Sequence, residues 1–549
     1  MQALAVFLER VRRTDAVRTI NRFLNSKYML IVFAALTLLS NIFELEIFVY
    51  ALMFLIAVYV ILFGKDMLTF AAIAIFMYIS PSAENNPFIN PDSFFFPGNG
   101  IALGLIVSLL VAAVLLFGLR VATDFGFVRF LRTERKLNVG FFLLAAAFLL
   151  GGVGYAEYDF RNISYSLLLF VAFYMLYFFL TGAVRWREVP KDYFFWLGLI
   201  VGLTVVLQLV NVFVIHADYI FSESGGIGDR HFIYTGWGTY TSMSIVLLIA
   251  MPCAFYFAAV KKHGFIFNIL GSILYLAIVA SNCRGSILMG AVVYLCCAVA
   301  VLTRKENRKG NLVVYCVVAL GAFTVLIVFR EKVMQLLSGL FNLALDDSNR
   351  FKLFEDGIFR FTQMPIFGEG FYACPTEYWN NQGGATFIPA FWHNTFIQML
   401  AACGVIGLAA YLFHRFQTVL LFVRRPSLCK TFIGFSVLSI LLTCLLDCHI
   451  FNIGVTIIYS IALAFAEKSE EMTTEREDDM LLALVRKLPF LRSRRSEEEQ
   501  VLPPAATSFD RNRDSSFTEN VPSDVSEEKE DISEKKEDAS EGKEELSES

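Results

Sequence analysis

Charge is scarce in this 549-residue sequence: Asp, Glu, Lys and Arg together make up 17 %, where a soluble domain holds about 25 %. Its ten cysteines form no Cys-x-x-Cys pair and no His/Cys cluster at zinc-ligand spacing, which argues against both a structural metal and a disulfide framework. Most of them, such as Cys296, Cys297 and Cys316, sit in apolar runs and read as small hydrophobes, whereas Cys374 and Cys429 lie between runs. The N-terminus lacks the apolar core of a cleaved signal peptide. The two halves of the chain do not resemble each other, as those of many transporters do.

What is abundant is apolar and aromatic surface. Hydrophobic residues reach 56 %, with 56 Phe and 21 Tyr, and the mean hydropathy is +0.59. This composition points to a polytopic membrane protein and excludes a secreted enzyme, a nucleic-acid binder and a soluble cytosolic enzyme. A spanning helix needs about 20 mostly apolar residues. Windows of that kind occur near 28–44, 45–63, 66–80, 100–118, 139–157, 163–184, 193–216, 238–259, 264–281, 285–303, 311–329, 394–413, 432–448 and 452–466. The expected fold is therefore an all-α integral membrane protein with about 14 transmembrane helices, of which 66–80 and 452–466 are short enough to be re-entrant.

Orientation follows from the Lys/Arg bias of short loops. Alternate loops carry Lys65; Arg120, Arg129, Arg132, Arg135 and Lys136; Arg185, Arg187 and Lys191; Lys261 and Lys262; Arg304, Lys305, Arg308 and Lys309; and Arg415, Arg424, Arg425 and Lys430. The short loops of the other side offer only Arg161, Arg230 and Arg284. Both termini are thus expected in the cytoplasm. Residues 1–27 read as a basic amphipathic segment on the inner leaflet and 28–466 as the membrane domain. Residues 467–549 form an acidic tail of net charge −12, against +8 for the rest. Residues 477–495 of the tail are amphipathic and its remainder has a disordered composition.

One outward connection, 330–391, is long enough to fold by itself, and its Phe, Leu and Ile content argues for order. Within it Phe351, Phe354, Ile358 and Phe361 share a helical face, with Ser348 placed as an N-cap. An outer aromatic loop is expected at 81–99.

An ionisable residue in or at the mouth of a helix bundle is expensive and is a functional candidate by default. Three stand out on the outward face. Arg284 lies in Ser281-Asn282-Cys283-Arg284-Gly285-Ser286 between two apolar runs; Arg350 opens the amphipathic helix of the long loop; His393 lies in Phe391-Trp392-His393-Asn394-Thr395. Each has a plainer reading: a snorkelling arginine, an ion pair with Asp346 or Asp347, and an interfacial belt with Trp392. Arg330, Lys352 and Arg360 read as solvated face. The acidic pairs Glu44/Glu46, Glu157/Asp159, Asp346/Asp347 and Glu355/Asp356 include no Asp-x-Asp, and no metal or cofactor is expected.

The order of these features carries a resemblance. After the arginine turn come Ser348-Asn349-Arg350-x-x-Leu353-Phe354, then Pro365-Ile366-Phe367-Gly368-Glu369-Gly370, then His393-Asn394-Thr395-Phe396-Ile397 followed by Gly404-Val405-Ile406-Gly407. With Gly236-Trp237-Gly238 ahead of them, residues from about 230 to 415 resemble the O-antigen ligase and O-antigen polymerase family of bacterial envelope glycosyltransferases. The chain departs from that pattern at Phe354, where the family often has Trp, and at Thr239-Tyr240-Thr241, where an Asn is usual.

The resemblance implies an inverting, metal-independent glycosyltransferase at the extracytoplasmic face of the cell (inner or plasma) membrane. Its donor would be a glycan on undecaprenyl diphosphate and its acceptor a glycan or lipid-linked sugar, among membrane lipids and envelope polysaccharide assembly proteins. It implies catalytic roles for His393, Arg284 and Arg350, the two arginines gripping the donor diphosphate. The residue types suit that chemistry: Arg is a permanently charged bidentate fork, and His has a pKa near ~6.5, in range for a general base. A lipid-linked oligosaccharide flippase, or a non-catalytic member of the family, is the alternative.

Overall fold

The computed structural model describes residues 2–64, 66–80, 115–118, 120–121, 127–156, 158, 160–220, 232–328, 330–331, 334, 348–371 and 392–473. Nearly everything in them is helix. In chain order these are α1 (Gln2–Arg12), α2 (Asp15–Leu24), α3 (Lys27–Phe43), α4 (Glu46–Phe63), α5 (Thr69–Ile79), α6 (Phe127–Arg132), α7 (Asn138–Leu150), α8 (Phe160–Phe170), α9 (Leu176–Ala183), α10 (Tyr193–Ile215), α11 (Ala217–Ile220), α12 (Tyr240–Val260), α13 (Gly264–Ala280), α14 (Arg284–Leu302), α15 (Arg308–Val328), α16 (Ser348–Gln363), α17 (Thr395–Val423), α18 (Leu428–Thr443) and α19 (Ile453–Lys468). A π-helical stretch, Val171–Met175, joins α8 to α9. A two-residue-strand hairpin (Tyr234–Thr235 with Gly238–Thr239) buries Trp237 in its turn against Tyr78, ring centroids 5.5 Å apart.

Seven of the described helices are long and apolar enough to cross a membrane, or eight if α2 and α3, bent by 65°, are one span. Four more apolar helices (α5, α7, α13 and α18) are shorter. The architecture is that of an all-α membrane protein. Of the windows read from sequence, 100–118 falls almost wholly outside the described residues, as do loop 81–99, most of 330–391 and segment 477–495.

α12 is the centre of the bundle, with 94 % of its apolar window buried against its neighbours. Pro252 inside it has no N–H and so deprives the Leu248 carbonyl of its partner four residues on. In lipid such a loss must be made good by protein. Ser439 of α18 supplies it, sharing its hydroxyl between Leu248 O (3.2 Å) and its own Phe435 O, while Ser436 donates to Ile249 O at 2.8 Å. On the other side Gly198 and Gly202 of α10 let Cys253 and Ala250 of α12 approach to backbone distance, the small-residue packing that substitutes for hydrophobic drive in membranes.

α17 is not the straight span that the window 394–413 suggests. Gly404, at φ 64° and ψ −164°, breaks it. The rings of Phe396 and Tyr411 meet at 5.8 Å, where fifteen residues of straight helix would span about 22 Å. Residues 365–370 bond four of the backbone groups beside the break. Val405 N–H donates to Pro365 O (2.9 Å) and Ile406 N–H to Ile366 O (3.5 Å); Ala401 O accepts from Glu369 N–H (2.8 Å) and Ala402 O from Gly370 N–H (3.0 Å). The same segment ties to the end of α7, Gly152 N–H donating to Phe367 O at 3.0 Å. The Pro-Ile-Phe-Gly-Glu-Gly motif is therefore a plug for a broken helix.

Three expectations change. Arg415, counted with a basic loop, lies inside α17, donates to the Tyr459 hydroxyl at 2.6 Å and stacks over Tyr411. α16 forms where expected, yet Ser348 is its first residue rather than a cap, and Phe351 and Ile358 are exposed. Its docked face is Leu353, Asp356, Gly357 and Arg360, because Gly357 allows Trp392 and Ile397 to come within van der Waals range. Finally, α19 runs on to Lys468. Glu467 is buried there and accepts from Tyr177 Oη (2.6 Å) and the N–H groups of Lys136 (2.9 Å) and Leu137 (3.2 Å) at the start of α7.

Gly404→Ala should destabilise the protein by about 1–3 kcal/mol, since only glycine adopts this backbone conformation cheaply and an added Cβ would lie 2.2 Å from Ile366 O. Gly321→Ala, where a Cβ meets nothing, is the control. Thermal unfolding of the detergent-purified proteins should separate the two; equal midpoints would remove the plug from this account.

Candidate functional site

Three connections meet at one end of the bundle: the start of α17, the turn between α18 and α19, and the short turn before α14. Asn394 caps α17, its side-chain oxygen accepting from Phe396 N–H (2.9 Å) and Ile397 N–H (3.2 Å). This segment is stitched to turn 444–448. Thr395 N–H donates to Cys444 O (3.1 Å), Asn394 Nδ2 to Leu445 O (3.1 Å) and Thr395 Oγ1 to Asp447 O (3.1 Å).

Between those anchors His393 takes a left-handed backbone, φ 47°, uncommon for a residue with a Cβ. Its Nδ1 lies 3.1 Å from Asp447 Oδ1. An ionised carboxylate only accepts, so Nδ1 carries the hydrogen and the lone pair of the neutral ring is on Nε2. The Cys448 N–H also donates to Asp447 Oδ1, at 2.7 Å, and His449 Nε2 stands 3.6 Å from Oδ2. Burial pushes the Asp447 carboxyl up, but His449, His393 and the Cys448 N–H together outweigh it and hold the group well below the usual carboxylate range. Asp447 is a fixed negative charge on the far side of the His393 ring.

Arg284 opens α14 and is half-buried. The next residue, Gly285, sits against Leu446, with a would-be Cβ 3.4 Å from Leu446 Cδ1. The arginine turn and the Asp447 turn are therefore neighbours. Asn282 in that turn is also left-handed, φ 52°. Ser286 on α14 meets Ser244 of α12 at 2.7 Å, which fixes the helix start.

Arg350 lies near the start of α16, and its side chain falls outside the description. The helix itself is docked beside His393: Trp392 Nε1 donates to Asp356 Oδ2 at 2.8 Å. Arg360 is no solvated residue. It pairs with Asp356 (3.6 Å) and with the buried Glu369 (3.1 Å) of the plug. Lys352 and Arg330 are exposed. The structure thus sets His393 and the Arg284 turn against the same turn, 444–448, and docks the helix of Arg350 beside His393.

Asp447 and His449 were not legible as site residues, although the rule that selects Arg284 applies to Asp447 too. It closes the apolar window 432–448 and is hidden there as the tail of a span. Among the described residues no group of three or more His, Cys, Asp or Glu could hold a metal ion. With Nδ1 given to Asp447, the arrangement can take a proton at His393 Nε2.

The chain matches no curated protein in a sequence search. Residues 266–412 match the family model described as O-Antigen ligase; the stretch runs from α13 into α17, includes Arg284, Arg350 and His393, and stops short of Asp447.

Proposed function

We propose that the protein is a membrane glycosyltransferase of the O-antigen ligase or polymerase type, acting at the extracytoplasmic face of the inner membrane on a glycan carried by undecaprenyl diphosphate. The observation that carries this reading is the His393–Asp447 pair beside the Arg284 turn, with His393 and Arg284 inside the stretch that matches the O-Antigen ligase model.

His393 Nε2 takes the proton of an acceptor hydroxyl. The freed oxygen attacks the anomeric carbon from the face opposite the diphosphate, a new C–O bond forms as the bond to the diphosphate breaks, and configuration inverts. Asp447 fixes the ring and stabilises the imidazolium as it appears, the work of the carboxylate in a catalytic triad. Arg284 and Arg350 offset the negative charge that gathers on the leaving diphosphate. The acceptor is a growing glycan or a lipid-linked sugar, and both termini lie in the cytoplasm with the acidic tail, away from the chemistry.

On this mechanism His393→Ala and His393→Gln should each lose on the order of 10²–10⁴-fold in transfer, because Gln keeps a donor but accepts no proton. Asp447→Asn should lose activity without losing the fold. Transfer to acceptor by purified protein with a synthetic lipid diphosphate donor is the assay, and a His393→Gln enzyme near the parental rate would sink the base assignment.

Arg284→Lys keeps the charge and loses the fork. It should cost on the order of 10²–10³-fold if the contact tightens in the transition state. A parental rate would return Arg284 to a snorkelling role.

The orientation has its own check. Lys352, exposed on α16, replaced by Cys should react with an impermeant maleimide in cells whose inner membrane is intact. Reaction only after that membrane is opened would put the site on the cytoplasmic side.

A further inference from the structure

α19 begins just after the Asp447 turn and ends, about 22 Å further on, at Lys468. There it borders a cavity of about 630 Å³. α9 ends on the cavity wall at Ala183. α4 ends close by, and its Ile61, Leu62 and Gly64 carbonyls accept from Arg120, which also lines the cavity. Three helix ends around one cavity, among Arg and Lys residues, mark the boundary of lipid and water on the side of the basic loops.

We propose that this cavity is a binding site for the phosphate headgroup of an anionic phospholipid in the leaflet on that side.

The charge balance favours an anion. Four cations line the cavity, Arg120, Arg185, Arg187 and Lys468, against two carboxylates, Glu188 and Glu471. Their placement matters more than their number. The Lys468 side chain is 8 % exposed, whereas those of Glu188 and Glu471 are 45 % and 47 % exposed, and water screens the exposed charges more than the buried one. Lys468 Nζ donates to Glu471 Oε1 (2.8 Å) and Glu134 O (3.2 Å), which leaves the third hydrogen of the ammonium for a ligand. Arg185 stands 3.8 Å from Glu188, beyond hydrogen-bond length. Arg187 pairs with no carboxylate among the described residues. Helix C-termini would repel an anion, but here arginines cover them: Arg120 on α4, and Arg135 Nη2 on Phe178 O of α9 at 3.3 Å.

The rest of the wall is apolar and already formed. Phe130, Ala183 and Val184 are buried on it. Trp186 meets Phe465 of α19 edge-on, ring centroids 5.0 Å apart. Thr473 N–H donates to Val189 O and Lys191 N–H to Thr473 O, each at 3.1 Å, which clamps this turn to the stretch after α19. A free phosphate gains nothing from an apolar wall. A phospholipid sets its phosphate among the cations and its glycerol and first methylenes beside them, and basic pockets between membrane helices at this level suit anionic headgroups.

The experiment is thermal unfolding of the delipidated full-length protein in detergent, with phosphatidylglycerol, phosphatidylcholine or inorganic phosphate added. It compares the parent with Arg185→Gln/Arg187→Gln and with Arg304→Gln/Lys305→Gln. All four residues are exposed, so both pairs should fold, which their midpoints without lipid check. The second pair lies on another basic loop and controls for general attraction. Phosphatidylglycerol should raise the parental midpoint saturably, by a few degrees. The rise should largely vanish in Arg185→Gln/Arg187→Gln and persist in Arg304→Gln/Lys305→Gln. A rise no greater than with phosphatidylcholine, or matched by inorganic phosphate at the same concentration, overturns the anionic-lipid assignment. An undiminished rise in Arg185→Gln/Arg187→Gln, or an equal loss in both pairs, overturns the cavity as its site.

Discussion

The break in α17 is the constraint on which the site depends. A helix in lipid satisfies its own backbone, and Gly404 interrupts that pattern. Residues 365–370 bond four backbone groups beside the break from outside, so the bent helix exists only with its plug in place. The consequence reaches the chemistry directly. The bend turns the first half of α17 aside, and His393, at its start, comes to lie over turn 444–448 instead of standing at the end of a straight span. The plug also carries Glu369, whose carboxylate holds Arg360 and through it the docked face of α16.

Around this device the polar groups are spent on geometry. Asn394, Thr395 and Asp447 interlock the two connections, and the left-handed His393 backbone is what that interlocking enforces. Left-handed backbone in a residue with a side chain costs free energy and persists where the surroundings over-determine it, commonly at functional sites. The Arg284 turn is set by a different part of the bundle, through α14 and the central α12. His393 from one group of helices and the Arg284 turn from another thus both lie against turn 444–448.

The bundle follows the same rule elsewhere. Pro252 frees the Leu248 carbonyl in the central helix and Ser439 of α18 covers it. Glu467 is buried because three donors converge on it, two N–H groups at the start of α7 and the Tyr177 hydroxyl of α9. In each case a locally unfavourable residue is made good by a partner from a distant stretch of sequence, and the pair fixes how two helices sit.

Composition and hydropathy alone determined that this is an all-α membrane protein, because exclusion of charge over about 20 residues is a local property that any reader of the chain can sum. The motif order carried the resemblance that the match of residues 266–412 to the O-Antigen ligase model bears out, and local capping preference placed Asn394 at a helix start. Sequence also marked Arg284, Arg350 and His393, since ionisable residues among apolar ones are conspicuous. What it left undecided was anything that needs two distant segments at once. Gly404 and Pro365–Gly370 read as motifs without a reason until the exchanged hydrogen bonds supplied it. Arg415 read as a loop residue and Arg360 as solvated because their partners, Tyr459 and Glu369, are not their neighbours in sequence. Asp447 read as the end of a span. Only the tertiary structure set it against His393, 54 residues away, because the meeting of two loop ends is decided by how the helices between them pack.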